Sequence, residues 1–117
     1  MQLESELLDD QILKVTLDGR MDLEGTQAID MKFTALTATK KTAVLVDMSK
    51  VTFLASIGIR TLLSCAKAVS NRGGKMVLLS PQPMVKDVME RTGVASLIPV
   101  YDDLTAAKAA LQAIQPS

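Results

Sequence analysis

A chain of 117 residues, 48% of them apolar, is the size of one compact domain, because two cores cut from it would each be marginal. Its 13 Lys and Arg balance 13 Asp and Glu, and two Phe, one Tyr and no Trp are its only aromatics, so neither a net field nor a stacking platform invites nucleic acid. The absence of histidine and the single cysteine exclude Ser-His-Asp and Cys-His nucleophile systems and the usual zinc sites, and no segment approaches the roughly 18 consecutive apolar residues of a membrane span.

Met1 to Glu6 lacks the basic start and apolar run of a secretory signal, and a lone Cys65 suits a reducing compartment, so a cytoplasmic protein is expected. Leu3, Ser5 and Leu7 alternate with polar residues. After Asp9-Asp10 a second alternation runs through Leu13, Val15 and Leu17, which predicts two strands joined by a tight turn. Ile29, Phe33 and Leu36 then follow a helical period, giving a first helix from about Leu23 to Thr39.

Ala43 to Val46 is a continuous apolar run ending at Asp47, the pattern of a central strand covered on both faces. A second helix is expected from Ser56 to Arg72, with Ile59, Leu62, Leu63, Ala66 and Val69 inward and Gly73-Gly74 as a stop. Met76 to Leu79 repeats the buried-strand pattern, followed by a short helix carrying Val85, Val88 and Met89. Leu97 to Val100 reads as a last strand. Asp102-Asp103 opens a final helix with Leu104, Ala107, Leu111 and Ile114 on one face. The order β-β-α-β-α-β-α-β-α predicts a single α/β domain over residues 1–117: a mixed sheet with crossover helices and an antiparallel first hairpin.

Neither a P-loop nor a dinucleotide-binding glycine fingerprint is present. Gly73-Gly74 reads as a turn, and Cys65 as a small core residue. Asp22 and Asp47 fall at strand ends, where they serve either as solvated turn carboxylates or as a shared acid-base or metal site. Ser56, at a helix start, suits an N-cap. The cap is the commoner use of such a serine, and the same residue can also serve as a regulatory site, because a helix N-terminus favours negative charge and a phosphate added there is tolerated by the fold. Ile57 lies off the inward stripe as a contact residue. Gly58 permits close approach of another backbone, and Arg60, one turn after Ser56, is placed to pair with a phosphate.

Three stretches, "LDGRMDLEG", "AVLVDMSKVTFLASIGI" and "NRGGKMVLLSPQPMVKDVMERTG", resemble, in order, the turn into the first helix, the central strand with its Asp-Ser-x-Gly-Leu helix start, and the later strand-helix segment of the STAS domain of bacterial anti-sigma factor antagonists. The resemblance implies a non-enzymatic interaction switch with no cofactor of its own. Unphosphorylated, such a protein binds an anti-sigma factor that is also a serine kinase and releases a sigma factor; phosphorylation reverses the binding, and a PP2C-type phosphatase restores it. On this chain the family's phosphoserine falls on Ser56, its Gly two positions later on Gly58, the turn aspartate near the phosphosite on Asp22 and the apolar residue after the Gly on Ile59. With Ile57 and Arg60, placed beside Ser56 by the helix itself, Asp22 and Gly58 make up the expected partner-binding residues. Ala55 stands where the family's usual Asp precedes the serine, and Arg60 where Gly is common, a change of about +2 in local charge that calls for a more acidic partner surface. The same departures fit an alternative, a STAS subunit or scaffold without a phosphoswitch, such as an accessory to a lipid-transport ATPase. A small enzyme or nucleotide-binding domain around Asp22, Asp47 and Ser56 is a third reading.

Overall fold

The computed structural model describes residues 1–9, 11–37 and 43–112. Among these residues five strands form one sheet in the order β1-β2-β3-β4-β5: β1 Gln2–Leu8, β2 Ile12–Met21, β3 Ala43–Leu54, β4 Lys75–Leu79 and β5 Val100–Tyr101. β1 pairs antiparallel with β2, and every other pairing is parallel. The parallel pairings follow from helices that cross between strands: α1 Leu23–Thr37, α2 Ser56–Asn71, α3 Pro83–Arg91 and the one-turn α4 Val94–Leu97. α5 Leu104–Gln112 closes the described chain.

Alternation along the strands divides the core in two. Leu13, Val15 and Leu17 of β2, Val44 and Val46 of β3, and Met76 and Leu78 of β4 face Ile29 and Phe33 of α1, Leu62 and Val69 of α2, and Val85 and Met89 of α3. Ile12, Ala43, Leu45, Val77 and Leu79 face Ala107 and Leu111 of α5 on the other side. β3 and β4 are therefore covered on both faces, the physical reason for their unbroken apolar runs. β1 lies at the sheet edge, where Glu4 and Glu6 are exposed and discourage pairing with another chain.

Several boundaries differ from expectation. β3 does not end at Asp47 but runs to Leu54, because Met48, Val51 and Leu54 keep returning to the core at intervals of three residues. Two register shifts against β2 make that spacing possible. Leu97 does not start the last strand: it closes α4 and is 69% exposed, leaving β5 only Val100 and Tyr101. The buried face of α2 is Gly58, Thr61, Leu62, Cys65 and Val69, so Ile59, Leu63 and Ala66 flank the seam rather than centre it. Asp10, the expected extension of α1 to Thr39, and Ile114 lie outside the described residues.

Candidate functional site

β2 and β3 leave the sheet side by side. Met21 pairs with Leu54 in register, and the Ala55 N–H donates to the Met21 carbonyl at 3.0 Å. The residues after this joint, Asp22 and Ser56, stand at the starts of α1 and α2, so two helix N-termini lie next to each other at the end of the β2–β3 pair. Two glycines let the helices seat this closely. A Cβ on Gly25 would stand 1.9 Å from the Arg20 carbonyl oxygen, and one on Gly58 would stand 2.9 Å from both Leu54 Cδ1 and Met21 Cβ. The close approach expected at Gly58 is thus made by the chain's own β2 and β3, and Gly58 is buried.

The N-cap expected at Ser56 is not formed there. The cap position of α2 belongs to Ala55, extended at φ −97° and ψ 172°, with no side-chain bond to the helix; Ser56 is already helical. The reason is the joint itself, since the bond to Met21 holds Ala55 in strand geometry and lets the helix begin one residue later. Capping by a side chain occurs instead at Asp22, whose Oδ1 accepts from the Gly25 N–H at 2.8 Å while its Oδ2 faces Arg20 Nε at 3.4 Å. The Gly25 N–H, aided by Arg20, holds the Asp22 carboxyl below its usual range. α1 therefore starts with Asp22 and Glu24 against its dipole. α2 has no capping side chain and no acid in its first turn, and Ser56 is exposed there. That end of α2 therefore carries a partial positive charge with no side chain of its own first turn to balance it.

Around Ser56 the structure places Ile57 half-buried and Arg60 exposed. Arg60 forms no ion pair among the described residues. Both line a groove between α1 and α2. On the other side of the joint, the Arg20 guanidinium lies 4.4 Å from the centroid of the Phe53 ring. Reading the strands as simple alternations misses this pair. The register shift between Gly19 and Arg20 brings Arg20 opposite Phe53 and leaves Thr52 and Phe53 both exposed. No sequence signal marks the pair, because it follows from the register that sets Met21 against Leu54.

Asp47 does not join Asp22. It lies inside β3, opposite Thr16 and five β2 residues before Met21, a separation of roughly 16 Å along the strands. There it accepts from the Ser49 N–H at 2.9 Å and faces Lys14 Nζ at 3.8 Å. Among the described residues no group of three or more His, Cys, Asp or Glu could hold a metal ion. Cys65 is buried, and burial pushes its thiol above the ordinary range. Gly73, at φ +82°, and Gly74 terminate α2 by donating to the Ser70 and Val69 carbonyls. No described helix is long and apolar enough to cross a membrane.

The family model of the STAS domain matches residues 8–107. BtrV of Bordetella bronchiseptica, named as an anti-sigma factor antagonist, is 27% identical over 107 residues, 92% of each chain. Among solved structures, an anti-sigma factor antagonist from Mycobacterium paratuberculosis superposes with a TM-score of 0.85 at 23% identity, over 95% of this chain and 93% of that one. The phosphorylated form of SpoIIAA, a Bacillus cell fate determinant, superposes with a TM-score of 0.70 at 17% identity, over 93% and 99% of the two chains.

Proposed function

The chain belongs to the STAS domain family, and on that footing we propose that it acts as an anti-sigma factor antagonist switched at Ser56. In this reading the unphosphorylated protein binds an anti-sigma factor that is also a serine kinase, and a sigma factor is released. The kinase, using ATP, phosphorylates Ser56 and ends the binding, and a PP2C-type phosphatase resets the switch. The protein is a cytoplasmic regulator rather than an enzyme and needs no cofactor of its own.

One observation carries the reading: Ser56 is exposed on a helix N-terminus that has neither a capping side chain nor an acid in its first turn. A phosphate there meets free N–H groups and the positive end of the helix dipole, so the fold accepts the added charge. A partner seated on the same surface must desolvate that charge and is expelled. The surface it leaves comprises Asp22, Ile57 and Arg60, with Gly58 supporting them from beneath. Because Ala55 and Arg60 add about +2 to this patch relative to the usual family pattern, the partner's facing surface is more acidic than usual.

The test is incubation with ATP and the cognate kinase, followed by intact-mass measurement. A phosphate-sized gain that Ser56→Ala abolishes supports the reading. No gain, with the kinase active on a control substrate, removes the mechanism and leaves a STAS subunit or scaffold without a phosphoswitch.

A further inference from the structure

The groove between α1 and α2 has a volume of about 420 Å³ and is lined by Thr26, Asp30 and Thr34 from one helix and Arg60, Thr61 and Ser64 from the other, among others. Its two walls carry opposite charges that do not neutralise each other. Arg60 forms no ion pair among the described residues, and Asp30 receives one long hydrogen bond, from the Thr61 hydroxyl at 3.5 Å. Thr26 adds an independent observation. Thr26 lines the groove with only 1% of its surface exposed, and its Oγ1, itself buried, has no hydrogen-bond partner among the described residues. A buried hydroxyl left unsatisfied is destabilising, and a turn of the Thr26 side chain that brings its hydroxyl to a group in the groove removes that penalty.

The charges select the class of ligand. A simple anion would meet Arg60 but be repelled by Asp30, a simple cation the reverse, and a neutral molecule would leave both charges unmatched. We infer that the groove binds a small zwitterion of the α-amino acid class, with its carboxylate on the Arg60 guanidinium, its ammonium against Asp30, and the Thr26 hydroxyl bonded to the ligand. Arginine forks suit carboxylates, and the volume falls in the range of small-molecule sites rather than of a docked helix. Ile57, half-buried on the same wall, supplies an apolar contact for the ligand's side chain. The inference does not depend on phosphorylation at Ser56.

Calorimetric titration of the full chain with each of the common free amino acids tests it, together with backbone amide shifts to locate binding. One or a few of them should bind with a Kd below about 10 mM, with shifts centred on Thr26, Asp30, Arg60 and Ser64. Arg60→Gln and Asp30→Asn, both at exposed positions, should each weaken binding about tenfold or more while melting like wild type. Thr26→Val, which keeps shape but removes the hydroxyl, should leave the free protein at least as stable and bind more weakly. Failure of every amino acid to bind at about 10 mM, shifts centred elsewhere, or unchanged affinity in the Arg60 and Asp30 variants overturns the inference.

Discussion

The Ala55 N–H and the Met21 carbonyl, 3.0 Å apart, form the joint that holds the starts of α1 and α2 together. Everything proposed for the surface around Ser56 depends on that contact, because it fixes Ala55 as the residue before the helix and presents the next one to solvent. Gly58 sits directly on the joint, and its missing side chain lets α2 approach.

Gly58→Ala therefore sets two effects against each other. Alanine favours the helix by about 1 kcal/mol, while a Cβ at 2.9 Å from Met21 Cβ and Leu54 Cδ1 overpacks the joint, which costs about 1–3 kcal/mol. The expected net loss is about 1 kcal/mol by urea titration. Gly25→Ala has no comparable relief, because the obstacle at 1.9 Å is the Arg20 backbone carbonyl, and a loss of about 3 kcal/mol or more is expected. A Gly58→Ala protein more stable than wild type would show that the joint yields freely.

Asp22 makes stability depend on acid. Its carboxyl is held below the ordinary value of 3.8, first by the Gly25 N–H and then by Arg20. Between that ordinary value and the lower folded one, the unfolded chain binds more protons than the folded chain, so this contribution is full above 3.8 and lost as pH falls through the folded value. The stability difference between wild type and Asp22→Ala should be largest near neutral pH and shrink in acid. Urea titrations of both proteins across the acid range measure it, and a difference independent of pH would assign the cap a role unrelated to the carboxylate's charge.

Cys65 carries the opposite dependence. Burial raises its thiol above the ordinary 9.0, against hydrogen bonds with Thr37 and Thr34 that lower it. The unfolded chain ionises first, so this contribution is intact below 9.0 and declines as pH rises toward the folded value. Cys65→Ala should give a flatter stability profile in alkali, although it loses packing against the core. In native protein a thiol reagent should label Cys65 only at the rate of opening, and rapid labelling at neutral pH would contradict its burial.

The layers of the fold were legible because the runs at Ala43–Val46 and Met76–Leu79 and the alternation before Leu17 each leave one physical choice of face. The extension of β3 to Leu54 was not, since core residues at Met48, Val51 and Leu54 fit neither a strand's period nor a helix's. Only the register shifts against β2 explain that spacing. Ser56 stood out in the sequence as a helix-start serine, yet the cap position of α2 went to Ala55, because a backbone bond between strands decided where the helix begins. Arg20 with Phe53, and Arg60 with Asp30 across the groove, needed the third dimension: each pair joins elements more than a helix length apart in sequence.

Ser56→Asp separates charge from folding. Because α2 begins with no acid in its first turn, a carboxylate at this exposed position should stabilise the helix by about 0.3–1 kcal/mol at low ionic strength, an advantage that added salt screens. The same substitution places negative charge on the surface proposed to meet the anti-sigma kinase, where the partner is expected to be acidic, so affinity for that kinase should fall. Asp carries less charge than a phosphate, and the fall should be smaller than for the phosphorylated protein. Thermal melts at low and high salt, paired with kinase binding, give both readings from one variant. A rise in stability with a loss of affinity means that repulsion at an intact surface operates the switch; loss of both would mean that Ser56 is needed for the fold; unchanged affinity would place the partner elsewhere on the domain.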